Sequence, residues 1–167
     1  MAGGPLLPSS IYLGGASGNL SPTFYAPGGA AATITNQGSF EGIGVVGSLA
    51  SVSNAILQFN MPEVLPSGVM KLRLLAMTNS TTGIAYWTTY DGATSASSSV
   101  QATSLSTEVA QSINFALLGV QDVLNENKQT LTTVATPNQI LTVVISFATT
   151  TFTVTGTTVW QASIVWE

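Results

Sequence analysis

The sequence predicts an all-β fold, a jelly-roll-like antiparallel β-sandwich with an extended Gly/Pro-rich N-terminal arm, and three observations carry that prediction. First, charged residues make up only 6% of the 167, against roughly 25% in a typical soluble chain. The polar surface must then be uncharged, and 19 Ser with 23 Thr supply it; β-branched Thr suits a pleated, half-exposed strand better than a helix face. Second, from about residue 54 onward apolar and polar side chains alternate in short runs bounded by turn residues. Third, residues 1–50 hold 11 of the 16 glycines, 4 of the 7 prolines and a single charge, Glu41, a composition that resists both helix and long regular strand. The length suits one domain, divided into an arm or irregular layer over 1–50 and a sandwich over 51–167.

The arm is not built like a disordered tail, because large apolar groups recur along it. Leu6, Leu7, Ile11, Tyr12, Leu13, Phe24 and Tyr25 are its candidate interface residues. They can lie on the chain's own domain or on a neighbouring subunit, since uncharged surface with spaced aromatics suits subunit contacts.

Ala55, Leu57, Phe59 and Met61 place an apolar residue at every odd position, and Pro62 ends that strand by removing a ladder donor. Residues 69–78 place Met70, Leu72, Leu74 and Ala76 on one face with Lys71 and Arg73 opposite. Asn79 to Gly83 form a turn cluster, Ile84 to Tyr90 a further strand, and Asp91-Gly92 a turn pair, so 69–90 is expected to be an antiparallel hairpin. Ala93 to Ser99 is expected to be a loop of small residues. The segment 104–124 admits two readings. Leu105, Val109, Ile113, Leu117, Val120 and Leu124 recur at helical spacing, whereas Ile113 to Leu117 alternates and Gly119 interrupts the helix, which favours strands. Gln129–Val134 is read as a short strand and Pro137-Asn138 as a turn. Ile140–Phe147 follows as a strand with Leu141, Val143, Ile145 and Phe147 inward. A piece at 152–155 and Val159–Trp166, with Trp160, Ala162, Ile164 and Trp166 inward, complete about eight strands.

Composition removes several function classes. Three Lys+Arg against seven Asp+Glu, a net charge of -4, cannot form the basic stripe that nucleic acid requires. Without Cys or His there is no thiolate or imidazole catalysis, no His/Cys zinc site and no disulfide. No run of about 18 apolar residues suggests a membrane span. The start, Met1 to Pro5, has no basic or apolar signal region, so a protein made and used without export is expected. Neither a catalytic residue nor a cofactor or metal site is predicted.

Four patterns could carry chemistry. Gly42 to Gly47 matches G-x-G-x-x-G with Glu63 about twenty residues on, but neither the strand before it nor the helix after it that a dinucleotide site needs is present. Asn79-Ser80-Thr81 has the form of a glycosylation sequon and reads more simply as a turn. Glu108, Asp122 and Glu126 could form a carboxylate pair or a calcium site, yet their spacing is not diagnostic and they read as solvated loop acids. Tyr86, Trp87 and Tyr90 could stack on sugar rings, but alternation sends Trp87 to the opposite face from the two tyrosines, so part of the set is core.

The run from Ala55 to Pro62, the strand Met70 to Ala76, the turn Asn79 to Gly83 and the aromatic strand Ile84 to Trp87 resemble jelly-roll capsid decoration (cement) proteins of tailed bacteriophages. The likeness continues through Leu124 to Glu126, Pro137 to Leu141 and 159–166, covering roughly residues 54–167 and leaving out the arm. It implies a structural virion protein on the outer capsid surface, made in the host cytoplasm. Such a protein would form a homotrimer seated on the major capsid protein, with no catalytic residue. An arm without Lys or Arg favours this outer position over a genome-packaging shell. The alternative is a tail-fibre or carbohydrate-binding β-sandwich module that recognises a host surface glycan.

Overall fold

The computed structural model describes residues 23–25, 33–37, 40–46, 53–95, 105–117, 121–147 and 153–167. Leu6, Leu7, Ile11, Tyr12 and Leu13 lie outside them. The strands are β1 (Thr23–Tyr25), β2 (Thr33–Gln37), β3 (Phe40–Val46), β4 (Ser53–Asn60), β5 (Met70–Thr78) and β6 (Ile84–Ser95). They continue with β7 (Ser106–Thr107), β8 (Gln111–Asn114), β9 (Asn125–Thr130), β10 (Gln139–Phe147) and β11 (Thr157–Trp166). A 3-10 turn, Phe115–Leu117, follows β8, and among the described residues there is no α-helix. Sheet I has the order β1-β4-β10-β6-β7, with β8 also on β6; sheet II has the order β2-β3-β11-β5-β9. Every pairing is antiparallel, giving the two-sheet sandwich the alternation predicts.

Period-2 alternation builds the core. Ala55, Leu57 and Phe59 of β4, Ala85 and Trp87 of β6, and Leu141, Val143, Ile145 and Phe147 of β10 face inward from sheet I and are buried. Sheet II answers with Leu72, Leu74 and Ala76 of β5 and Trp160, Ala162 and Ile164 of β11. Trp160 bridges the layers, its ring centroid 5.2 Å from that of Trp87 in an edge-on contact and 5.1 Å from that of Phe147. Each is within the range of favourable aromatic pairs.

Several expectations are corrected. β5 and β6 do not form a hairpin, because they belong to different sheets and residues 79–83 carry the chain across the sandwich. Turn residues fix a change of direction without fixing which sheet receives the next strand. Ser80 does sit in a turn, where its hydroxyl meets Thr82 O at 3.1 Å and Thr155 Oγ1 at 3.1 Å. Asp91-Gly92 is not a turn either: β6 runs through it to Ser95, so Ala93–Ser95 also belong to the strand. The strand expected at 129–134 is β9, four residues earlier, because a polar edge strand has too few apolar positions to set its register. Residues 153–155 are not strand, although Thr153 N donates to Ile84 O at 2.9 Å.

The helical stripe at 104–124 is no core face. Of its described members Leu105, Val109, Leu117 and Leu124 are exposed and Ile113 is buried, through β8, while Val120 lies outside the described residues. Over its described residues the Gly-rich stretch supplies β1, β2 and β3 to both sheets. Phe24 and Tyr25 thus lie in β1, paired with Ala55 and Asn54. Glycine is tolerated in β3 because the neighbouring backbone comes close: a Cβ on Gly42 would stand 2.1 Å from Trp160 O. The same placement removes any dinucleotide reading, since Gly42 and Gly44 lie inside a strand and Glu63 in an exposed loop.

All three cations of the chain sit on sheet II. Lys71 pairs with Glu167 at 3.1 Å, Lys128 also meets Glu167, and Arg73 meets Glu126. The hydrogen bond to Glu167 raises the Lys128 pKa above the ordinary lysine value, and the same contact lowers that of Glu167. These exposed pairs are screened by salt and contribute little to stability.

Candidate functional site

The outward face of sheet I gathers the side chains best suited to a ligand. Because Ala85, Trp87, Thr89 and Asp91 of β6 point into the sandwich and are buried, Tyr86, Thr88 and Tyr90 point outward and are half-buried. Tyr86 and Tyr90 are four residues apart on one strand, about 13 Å at the rise of a β-strand. Register places their neighbours: Tyr90 opposes Val144, which opposes Ile56; Thr88 opposes Ser146, which opposes Asn54; Gly92 opposes Thr142, which opposes Gln58. Tyr86 is flanked on the other side by Ser112 of β8.

The result is two phenol rings among amides, hydroxyls and short aliphatics, with no charged side chain on this face among the described residues. Asn54 Oδ1 and Thr142 Oγ1, both on this face, are buried without a hydrogen-bond partner. Unsatisfied polar atoms beside half-buried rings are costly in a purely structural surface.

Alternation alone separates Tyr86 and Tyr90 from Trp87, and the structure places Trp87 in the core. What the sequence does not show is the amide row of β4, which reaches the tyrosines only through the non-consecutive order β4-β10-β6.

The three acids considered as one cluster are not brought together. Asp122 occupies a turn with φ 61° and donates its backbone N–H to Thr78 O, and Glu126 is held by Arg73 on sheet II. Glu108 alone has an acidic neighbour, Asp91, which the sequence gives no reason to single out. Asp91 is fully buried on the inner face of β6. Its Oδ2 accepts from Thr133 N at 2.9 Å, while Thr133 Oγ1 donates to Asp91 O at 3.1 Å. Glu108 Oε1 accepts from Thr132 N at 2.6 Å.

Desolvation, helped by the hydrogen bond and charge of Glu108, pushes the Asp91 pKa up to about 6 against the opposing bonds from Thr133. Desolvation would raise Glu108 as well, but its hydrogen bonds with Asp91 and Thr132 prevail and hold it below the ordinary glutamate value. Among the described residues no group of three or more His, Cys, Asp or Glu is placed to hold a metal ion.

Thr133 also lines a cavity of about 310 Å³ at one end of the sandwich. Its other walls are Leu65, Pro66, Met70, Leu131, Val134 and Trp166.

Two solved structures share the architecture. One is the family 11 carbohydrate-binding module of the cellulosomal cellulase Lic26A-Cel5E of Clostridium thermocellum, with a TM-score of 0.52 and 10% identity over 100% of this chain and 97% of that one. The other is a family 11 carbohydrate-binding module from Clostridium thermocellum in complex with a β-1,3-1,4-mixed-linked tetrasaccharide, with a TM-score of 0.51 and 10% identity over 93% and 92% of the two chains. At such identity the likeness is one of fold. No protein-family model and no curated protein matches the sequence, so the resemblance to capsid decoration proteins has no family match behind it.

Proposed function

We propose that this chain is a non-catalytic carbohydrate-binding β-sandwich module that holds a neutral glycan against the outward face of sheet I. The observation that carries this reading is the pair Tyr86 and Tyr90, aligned on one strand of an uncharged face rich in amides and hydroxyls. A pyranose presents apolar C–H faces that stack on aromatic rings, and its equatorial hydroxyls need both donors and acceptors. Asn54, Gln58, Thr88 and Ser146 offer both kinds. A face without charges suits a neutral sugar, because no ion has to be desolvated on binding. A module of the same fold was solved with a β-1,3-1,4-mixed-linked tetrasaccharide, which makes β-1,3-1,4-linked glycans the first probes.

Tyr90→Ala is expected to weaken glycan binding about ten-fold, in keeping with about 1.4 kcal/mol per decade and the ~0.5–1.5 kcal/mol of a ring contact beyond its area. Tyr86→Ala should weaken it comparably. Calorimetric titration and affinity electrophoresis against neutral polysaccharides measure this. Binding that survives both substitutions would overturn the placement of the site.

The decoration reading draws on the same charge-poor surface and makes different demands. A homotrimer by light scattering that co-sediments with undecorated capsids and ignores polysaccharides would favour it. In either case the truncation that tests residues 1–22 as an interface has to stop before Thr23, because β1, β2 and β3 belong to the sheets.

A further inference from the structure

The cavity at the end of the sandwich is built apart from the tyrosine face. The segment after β4 supplies Leu65, Pro66 and Val69, and β5 begins in it with Met70. The loop after β9 adds Leu131, Thr133 and Val134, and β11 ends on it with Trp166. β4, β6 and β10 contribute nothing to its lining.

Backbone contacts hold these walls in place before anything enters. Val69 N donates to Glu167 O at 2.8 Å and Glu167 N returns the bond to Val69 O at 3.1 Å, which fixes the segment before β5 on the end of β11. Gly68 permits that approach, with φ +117° and a Cβ position only 3.0 Å from the Glu167 backbone. On the opposite wall Leu131 N donates to Met70 O at 3.4 Å, and Thr133 N to Asp91 Oδ2 at 2.9 Å. Leu65, Met70 and Trp166 are half-buried against the core, whereas Val69 and Val134 are 52% and 85% exposed and mark the mouth. A concavity fixed in this way costs an occupant little ordering of the protein.

A volume of about 310 Å³ falls at the lower end of ordinary ligand sites, about 300–1,000 Å³. It is roughly twice the ~150 Å³ of an apolar cavity that takes up benzene, enough for two fused rings. The lining narrows the class further. It contains no charged side chain, so an ion would be desolvated there without a partner. A sugar fits as badly. Thr133 is the one side-chain hydroxyl in the lining, and its proton is already given to Asp91 O at 3.1 Å, which leaves it an acceptor only. Most hydroxyls of a pyranose would then be buried without side-chain partners. The indole of Trp166 and the thioether of Met70 favour an aromatic ring, through stacking and sulfur contact.

We propose that this cavity is a binding site separate from the glycan face, taking an uncharged aromatic molecule of one or two fused rings that carries a single hydroxyl. The ring system lies against Trp166, Met70 and Leu65, and the hydroxyl donates to Thr133 Oγ1.

Naphthol is the probe, titrated into the isotope-labelled full chain and followed by nuclear magnetic resonance and calorimetry. Saturable one-to-one binding is expected, shifting the side-chain N–H signal of Trp166 and leaving those of the buried Trp87 and Trp160 in place. Naphthoate, the same rings bearing a charge, should bind at least about ten-fold more weakly. Trp166→Ala should weaken naphthol binding about ten-fold. Should that variant fail to fold, Val134→Glu places a carboxylate at the exposed mouth, away from the core, and should weaken it roughly five-fold. Tyr86→Ala and Tyr90→Ala should leave naphthol binding unchanged, so this site and the glycan face stand or fall separately. Absence of saturable binding, naphthoate bound as tightly as naphthol, or an affinity untouched in a folded Trp166→Ala or Val134→Glu variant overturns the proposal.

Discussion

Trp160→Ala is expected to lower the stability of the domain by about 3–5 kcal/mol, the range for deleting a large aromatic from a packed core. Trp160 is fully buried at the centre of sheet II and contacts Trp87 and Phe147 of sheet I, so truncation removes the ring through which the two layers meet. The cavity left behind cannot collapse cheaply, since its walls are strands held in register on both sides of β11. One feature works in the opposite direction: Trp160 Nε1 is buried without a hydrogen-bond partner. Trp160→Phe keeps a ring and removes that orphan donor, so it should cost less than half as much as alanine. Equilibrium denaturation in urea measures both, and a loss below about 1 kcal/mol for alanine would contradict the packing described.

Gly83→Ala is expected to cost about 3 kcal/mol or more, from two sources that add. Gly83 has φ +98°, a conformation that L-residues rarely adopt. Independently, a Cβ there would lie 2.5 Å from Thr153 O and 2.6 Å from Val154 Cα, both backbone atoms. Neither can yield like a flexible side chain. The position also holds the crossing from β5 to β6, and its carbonyl accepts from Phe115 N at 3.0 Å. Asn tolerates positive φ better than Ala, but it carries the same Cβ and should not rescue. Thermal melting of Gly83→Ala and Gly83→Asn checks this, and near-native melting of either would count against the crossing geometry.

Alternation makes the inner faces of β4, β5, β10 and β11 readable from sequence, because a face buried against another sheet has to be apolar at every second position. The same rule fails where burial is not apolar. Asp91 occupies an inward position of β6, and the groups that make this tolerable, Glu108 and Thr133, lie in other segments. Read locally, Asp-Gly looks like a turn. β9 was equally obscure, since Asn125 to Lys128 is polar throughout and its strand character comes from pairing with β5. The candidate site divides in the same way. The two tyrosines follow from period 2 on one strand, whereas Asn54 and Gln58 become their neighbours only through β10, about ninety residues further along the chain.

The flanking strands of the sheets bear on how this molecule behaves in a crowd. A chain with a net charge of -4 over 167 residues has little long-range repulsion to keep copies apart, and an open sheet edge is a template for another chain. Beyond β6, however, sheet I ends in two fragments, β7 of two residues and β8 of four, which meet different stretches of β6. Among the described residues no continuous ladder is presented to an incoming strand. Beyond β5, sheet II ends in β9, whose Glu126 and Lys128 project charge along that margin. Side-to-side growth into fibrils is thus opposed on both of these margins, by interruption on one and by charge on the other.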